Sequence, residues 1–371
     1  MKAEWIWQQP GWPDFSWQEA RVMPLARTLA RQTGILLGLH AFQTENDEQA
    51  LDTLLANIVA SSAIEDEQVN ARSVRSSLAR RLGVSQERPW PVSDRSEGLA
   101  EIMLDAIDNR TQPMTLSRLF QWHRWLFPDD GWSLQRIIPG QLRGGEPMQV
   151  VSGRVDKPVV HFEAPPRAEL QPMLEDFLRW FNESLNDPLL DPLLRAAIAH
   201  LWFVTLHPFE DGNGRLTRAL TDLALAQADN KSIRLYAMSV AILEKRADYY
   251  RILEKTQKSG LDITDWLVWF LETLGLTLER AQQTIDKTLA KNRYWQQHDQ
   301  AELSPEQVKV LNRLLEGGDN GFEEGISASQ YQKVAKVSKA TATRHLTYLL
   351  DKGYLEKMPG GGRNTRYKPC S

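Results

Sequence analysis

Apolar residues at helical spacing cover most of the chain. Residues 193–204 and 220–225 place large apolar side chains three and four positions apart, which predicts two helices joined by a polar connection. The pattern changes at residues 149–153 and 158–162, which are short β-branched runs on either side of a charged turn and predict a hairpin. The hydrophobic pattern therefore predicts a mainly α protein with one small β-hairpin.

The last part of the chain has a different pattern. Helical segments begin at Ser304, Ser327 and Ser338, and a Gly-rich loop between two short runs follows them. This order resembles a winged helix-turn-helix domain. From residue 338 onward, seven Lys or Arg stand against two Asp or Glu, as expected for a surface that contacts DNA. Winged helices also dock proteins, so DNA contact and protein contact both stay open.

Composition narrows the class of protein. The 371 residues suffice for two or three domains, and 42% hydrophobic with 25% charged residues is typical of a soluble globular chain. The formal net charge of −4 gives no global attraction to nucleic acid or membrane. A single cysteine, Cys370, excludes an intramolecular disulfide. Without a signal-like start or a bilayer-length apolar run, we expect a cytoplasmic protein with no membrane partner.

The polar connection between the two central helices carries the candidate chemistry. Residues 207–218 read His-Pro-Phe-Glu-Asp-Gly-Asn-Gly-Arg-Leu-Thr-Arg. Gly212 and Gly214 permit positive φ, so consecutive N–H groups can converge on an anion where the next helix begins. Arg215 and Arg218 lie three apart on one helix face and can reach successive phosphates.

Two further side chains in this run suit a nucleotide substrate. Asp211 offers hard oxygen ligands that can hold Mg²⁺ against a polyphosphate. His207 supplies a base that titrates near neutral pH. Together these parts predict a phosphoryl or nucleotidyl transferase. The alternative is a tight turn in which His207 packs against Phe209 and the arginines meet nearby acids.

The same run resembles the signature of the Fic family, His-x-Phe-x-(Asp/Glu)-Gly-Asn-Gly-Arg-x-x-Arg, with every position filled. The resemblance implies a helical Fic fold and transfer of AMP from ATP to a Ser, Thr or Tyr hydroxyl of a target protein. It makes His207 the catalytic base and Asp211 the Mg²⁺ ligand. The ATP-binding residues of the signature are then Gly212, Asn213, Gly214, Arg215 and Arg218.

An upstream segment resembles the inhibitory motif of many Fic proteins, (Ser/Thr)-x-x-x-Glu-(Gly/Asn). Ser61 and Glu65 match it, within a helix expected at about residues 46–67. By the resemblance, Glu65 pairs with Arg218 and keeps the γ-phosphate of ATP from binding productively. Asp66 departs from the usual Gly or Asn, which puts the backbone after Glu65 in question. Some members with this glutamate also remove AMP, so the net direction is open.

The resemblance also assigns the surroundings of the site. The hairpin corresponds to a flap that pairs with the target's main chain, formed by Gln149, Val150, Val151, Ser152 and Gly153, and edge-strand pairing suits that task. His161, on the second strand, is interpreted as structural. A later helix resembles the segment that lines the nucleoside pocket, with Tyr249, Tyr250 and Gln257 as candidate contacts to adenosine.

The predicted organisation is an N-terminal helical region (1–110), a Fic catalytic domain (111–298) and a winged-helix-like domain (299–371). The partner is a protein with an exposed hydroxyl residue, and a homodimer stays open. Two other functions remain: a DNA-binding or antitoxin-type regulator whose Fic domain senses nucleotide, and a Fic enzyme that transfers phosphate instead of AMP.

Overall fold

The computed structural model describes residues 4–41, 47–86, 88–128, 137–154, 157–229, 237–316, 322, 324–359 and 365–370. Two compact units make up the chain, Met1–Ala281 and Gln282–Ser371. The three-domain division at residues 110 and 298 stays a prediction. No described helix combines the length and apolarity that a bilayer crossing requires.

Helices dominate the first unit, which confirms the mainly α prediction. They are α1 (Glu19–Ala41), α2 (Asp47–Ile64), α3 (Ala71–Leu82), α4 (Asp94–Asp108), α5 (Leu116–Leu126), α6 (Arg167–Glu183), α7 (Pro192–Leu206), α8 (Asn213–Asp229), α9 (Met238–Glu244), α10 (Arg246–Gln257) and α11 (Thr264–Gln297), the last running across the division between the units.

Helix α7 lies at the centre of the first unit. All of its residues from Leu193 to Leu206 are buried, because large apolar residues are present on every side of the helix. Its start is well defined: Pro192 occupies the first turn, and the Asp191 carboxylate accepts a hydrogen bond from the Leu193 N–H at 2.8 Å. Helix α8 packs along α7, so the connection between them is held by two buried helices.

The hairpin forms where the pattern predicts it. Strands β1 (Gln149–Arg154) and β2 (Lys157–Glu163) are antiparallel, with a bulge between Val150 and Val151. On β2, Phe162 is buried and packs edge-on against Trp5, with 5.5 Å between ring centroids. Val151 is 50% exposed, so the hairpin is anchored at its base and presents apolar side chains to solvent.

Among the described residues of the second unit, three helices and a pair of C-terminal strands follow the predicted order, and a short strand between the first two helices was not predicted. The core of this unit includes Tyr331, Leu346 and Leu349. Ser327 and Ser338 cap their helices through side-chain oxygens, as read from the sequence. The central part of the Gly-rich loop, residues 360–364, lies outside the described residues. The elements are α12 (Pro305–Glu316), β3 (Ile326–Ser327), α13 (Ala328–Ala335), α14 (Lys339–Asp351), β4 (Leu355–Lys357) and β5 (Arg366–Pro369), with sheet order β3-β5-β4.

Candidate active site

His207 ends helix α7 in a left-handed conformation, with φ of 48°. Its Nδ1–H donates to the Val204 carbonyl at 3.1 Å, which leaves Nε2 as the proton acceptor. Burial lowers the pKa of His207, and the nearby charge of Arg143 lowers it further. The imidazole is therefore neutral at pH 7 and can act as a base.

Arg143 holds His207 in place, and sequence reasoning missed it. The guanidinium is buried and its Nε donates to the His207 carbonyl at 2.8 Å, while the Arg143 N–H donates to the Pro208 carbonyl at 3.0 Å. Arg143 lies far upstream of the signature, in a stretch without a periodic pattern. A lone arginine there offered no signal by which it could be found.

The loop before α8 is closed by its own side chains. Asn213 is buried; its Oδ1 accepts from the Phe209 N–H at 2.9 Å and its Nδ2 donates to the Phe209 carbonyl at 2.8 Å. Gly212 has φ of 82°, and a Cβ there would approach Leu126 Cδ2 to 2.6 Å. The Asn213 side chain thus braces the loop, and its ATP-binding role, which stays a prediction, would use the backbone N–H.

Arg218 is engaged by the end of α2. Its Nη1 lies 2.9 Å from Glu65 Oε1, its Nε donates to Ser61 Oγ at 2.8 Å, and its Nη2 donates to the Ser61 carbonyl at 2.7 Å. Burial tends to raise the pKa of Glu65, but the charge and hydrogen bond of Arg218 outweigh it, so the pKa is lowered. Glu65 is therefore ionised at neutral pH and paired with a buried arginine.

Glu65 also lies against the first turn of α8. A Cβ added to Gly214 would lie 2.0 Å from Glu65 Oε1. Only glycine at this position lets the carboxylate approach the helix N-terminus so closely. The Glu65 carboxylate thus occupies the end of α8 that the sequence assigns to phosphate.

Asp66 takes the conformation that Gly or Asn usually supplies. Its φ is 57°, and the backbone closes with the Glu67 N–H donating to the Ser62 carbonyl at 3.0 Å. Arg246 donates from its two terminal guanidinium nitrogens, Nη1 and Nη2, to the two oxygens of the Asp66 carboxylate. Helix α2 ends at Ile64, short of the predicted end near residue 67, because this left-handed turn stops it.

Glu67 is the second residue that sequence reasoning missed. Its Oε2 accepts a hydrogen bond from Nη1 of the buried Arg215, and its other oxygen pairs with Arg95. The available signal was the run Glu-Asp-Glu at 65–67, whose first member alone belongs to the motif. We call residues 65–67 the acidic segment; no two of its carboxylates share an arginine partner.

Asp211 is half exposed at the mouth of the site. Its Oδ1 accepts from the Gly212 N–H at 2.5 Å and lies 3.7 Å from Arg215 Nη2. The described residues contain no cluster of three or more metal-binding side chains. A single accessible carboxylate still fits Mg²⁺ that arrives with a polyphosphate, because this ion is usually held by one or two carboxylates, phosphate oxygens and water.

A cavity of about 740 Å³ is lined by His207, Asp211, Glu65 and the start of α8. The predicted nucleoside contacts line it, but they differ: the Tyr249 hydroxyl is buried against His200 Nε2 at 2.9 Å, whereas the Tyr250 hydroxyl donates to Glu65 Oε2 at 3.2 Å. Gln257 Nε2 donates to Thr205 Oγ1 at 3.2 Å. Flap residues Val150, Val151 and Ser152 line the same cavity as His207 and Gly212 of the α7–α8 connection.

Comparison with known proteins shows which family part of this chain matches. Residues 113–225 match the Fic/DOC family, and residues 5–84 match a domain of unknown function, DUF4172. The chain is 30% identical over 141 residues to protein adenylyltransferase fic-1 of Caenorhabditis briggsae, covering 38% of this chain and 26% of that protein. It is 34% identical over 97 residues to protein adenylyltransferase Fic of Drosophila melanogaster, covering 26% and 18%. The chain thus spans about a quarter or less of the length of these relatives.

One solved structure resembles the chain along nearly its whole length. A Fic family protein from Desulfovibrio desulfuricans superposes with a TM-score of 0.52 at 19% identity, covering 94% of this chain and 96% of that one. At this identity the likeness concerns the fold alone, and it confirms the predicted Fic fold. With the filled signature and the family match, it follows that residues 113–225 of this chain are a Fic domain.

Proposed function

We propose that this protein transfers AMP from ATP to a hydroxyl side chain of a target protein in the cytoplasm. The observation that carries the proposal is the placement of a neutral His207 and the N-terminus of α8 on one cavity, with Arg215 and Arg218 on the same helix. The adenylyltransferase names of the two relatives support the same chemistry.

The chemistry follows from the groups on the loop. The target hydroxyl attacks the α-phosphorus, His207 Nε2 takes its proton, and pyrophosphate leaves. The backbone N–H groups at the start of α8 and the guanidinium of Arg215 stabilise the phosphate charge, because they are fixed before the substrate arrives. Asp211 would hold Mg²⁺, which supplies further neutralisation of that charge.

Target recognition is proposed for the flap. Within the described residues β1 pairs only with β2, so its outer edge is available to an extended target segment. Val151 on that strand is half exposed and lines the cavity. A target strand added there would bring a Ser, Thr or Tyr hydroxyl toward His207.

The acidic segment is proposed to hold the enzyme in a low-activity state. Glu65 pairs with Arg218 and Glu67 pairs with Arg215. Both guanidinium groups that are proposed to bind phosphate are therefore already paired. ATP phosphates compete for the same two side chains. Whether Glu65 additionally positions water for AMP removal decides the net direction of the reaction.

The test uses two labels. We expect Glu65→Gly incubated with α-labelled ATP to label a target, or the protein itself, more strongly than the parent, and γ-labelled ATP to leave no label. Label from the γ position alone would show phosphate transfer instead. Absence of label from both nucleotides, with a cell lysate as the target source, would remove the transferase proposal.

A DNA-binding regulator remains the second candidate, and one observation favours it. Lys339 and Arg344 are exposed on α14, the third helix of the second unit. Duplex binding that survives His207→Ala and weakens steeply with salt would support this function. No duplex binding at low salt would leave protein docking as the role of the second unit.

A further inference from the structure

Hydrogen bonds between three polar side chains link the flap to α10. Ser152 Oγ on β1 lies 2.6 Å from His161 Nε2 on β2, and His161 Nδ1 lies 2.9 Å from Glu254 Oε2 on α10. All three side chains line the same cavity as His207, on its flap side. None of them belongs to the Fic signature.

One assignment of donors and acceptors satisfies all the hydrogen bonds from Ser152 to Glu254. Hydrogen bonds from Lys258 and His161 keep the pKa of Glu254 low, so the carboxylate is ionised and only accepts. His161 Nδ1 must then be the donor, and in the neutral form of an imidazole that donates through Nδ1 the Nε2 atom accepts, here from the Ser152 hydroxyl. Hydroxyl, imidazole and carboxylate thus stand in the order of nucleophile, base and orienting acid.

A purely structural role, in which these side chains only hold the hairpin together, does not account for all of the contacts. The two strands are already joined by their backbone register, in which Ser152 is opposite Val159 and His161 is its diagonal neighbour on the same face. Ser152 is exposed rather than buried, and it lines the same cavity as Gly212 and Gly214 at the start of α8. A hydroxyl that only fastened the flap would not need an imidazole oriented by a carboxylate.

We propose that Ser152 is a nucleophile with His161 as its general base and Glu254 as the positioning residue, and that it attacks phosphoric esters or anhydrides entering the cavity. Ser152 Oγ forms a bond to phosphorus, the bond from phosphorus to the leaving group breaks, and the hydroxyl proton passes to His161 Nε2. Glu254 accepts from Nδ1–H and stabilises the imidazolium. The phosphate class of substrate follows from the anion-binding start of α8 on the same cavity.

The test is covalent labelling of the full chain by a fluorophosphonate probe, which needs neither nucleotide nor His207. We expect one probe per chain on the peptide that contains Ser152, with fluoride as the leaving group. Ser152→Ala abolishes this label, and His161→Gln slows it on the order of 10²-fold, the usual contribution of a general base. Glu254→Gln slows it less, and Glu254→Asp restores part of the rate.

The matched control is Ser259→Ala, which removes a serine whose hydroxyl donates to the Thr256 carbonyl without an imidazole partner. Its labelling should equal that of the parent. Amide hydrogen exchange of residues 149–154 checks that the His161 and Glu254 variants keep the hairpin. Parent and Ser152→Ala labelled equally, or a parent that is not labelled, would overturn the proposal and leave the chain of hydrogen bonds as a brace. Neither outcome bears on AMP transfer by His207.

Discussion

The loop of residues 207–214 and the acidic segment meet at the same two arginines, but they are held in opposite ways. The loop lies between two buried helices and is closed by Asn213, whose side chain is 3% exposed. The acidic segment follows the end of α2, and the side chains of Glu65 and Asp66 are 33% and 77% exposed. One element is fixed by packing, the other by ion pairs.

This difference is what the proposed low-activity state requires: a preorganised loop beside a segment that can be displaced. Breaking an ion pair with a buried arginine is costly unless another anion takes the place of the carboxylate. Under the proposed function the phosphates of ATP are such an anion, and they would displace Glu65 and Glu67 without leaving Arg218 or Arg215 unpaired. The pair of Asp66 with Arg246 is exposed and contributes little by itself.

The largest effect is expected from the loop itself. His207→Ala, made in a Glu65→Gly background, should lower AMP transfer by about 10²–10⁴-fold, because the base that accepts the hydroxyl proton is gone. Scintillation counting of α-labelled product measures it. His345→Ala, which removes an imidazole from the second unit, should leave transfer unchanged. Equal rates with and without His207 would take the loop out of the chemistry.

The second largest effect on activity is expected from the acidic segment. Glu65→Gly should raise AMP transfer on the order of tenfold or more, as expected when a coupling of about 1–3 kcal/mol between two competing ligands is lost. Initial rates at subsaturating ATP measure it. Glu48→Ala, an exposed change at the start of α2, serves as the control. A rate that stays at the parent level would mean that Glu65 does not limit activity.

A substitution at Glu67 tests the second ion pair of the acidic segment. Glu67→Gln weakens the contact with Arg215 but keeps a polar side chain, so we expect a rise of only a few fold alone, on the scale of about 1 kcal/mol. Combined with Glu65→Gly it should raise activity beyond the single variant and lower the KM for ATP. If the double variant matches Glu65→Gly in both constants, Glu67 has a structural role only.

A separate prediction, on stability rather than activity, concerns the core contact between α2 and α8. Asp222 is buried, accepts from Asn57 Nδ2 at 2.8 Å, and its pKa is raised by burial from 3.8 to about 7. Its stabilising contribution is therefore fully present below pH 3.8 and lost as the pH rises to about 7. In that window the slope is about 1.4 kcal/mol per pH unit.

Urea unfolding of the parent and Asp222→Asn at pH 5 and pH 7 measures this contribution. The free energy of unfolding of the parent, taken relative to that of Asp222→Asn, should be larger at pH 5 than at pH 7. The variant cancels the opposite trend of the surface carboxylates, since both proteins share them. A difference that does not change with pH would show that Asp222 is ionised throughout.

Contiguous features could be predicted from the sequence. The helix-loop-helix, the hairpin, the caps at Ser327 and Ser338 and the filled signature all depend on residues within a few positions of each other, where spacing decides geometry. The Fic fold could be predicted for the same reason, because a long local motif restricts the fold. The family match and the fold likeness confirm that prediction. The roles of the site residues stay predictions.

The contacts that connect distant segments could not be read from spacing. Arg143 on His207, Glu67 on Arg215 and His161 between Ser152 and Glu254 join side chains from separate elements. Each of these residues alone resembles an ordinary surface charge or packing histidine. The sequence by itself determined a helical protein with a filled Fic signature, and from it we predict a phosphate-binding loop and a catalytic histidine. Only the tertiary structure decided which arginine each acid contacts, because side chains far apart in sequence meet only after the helices have packed.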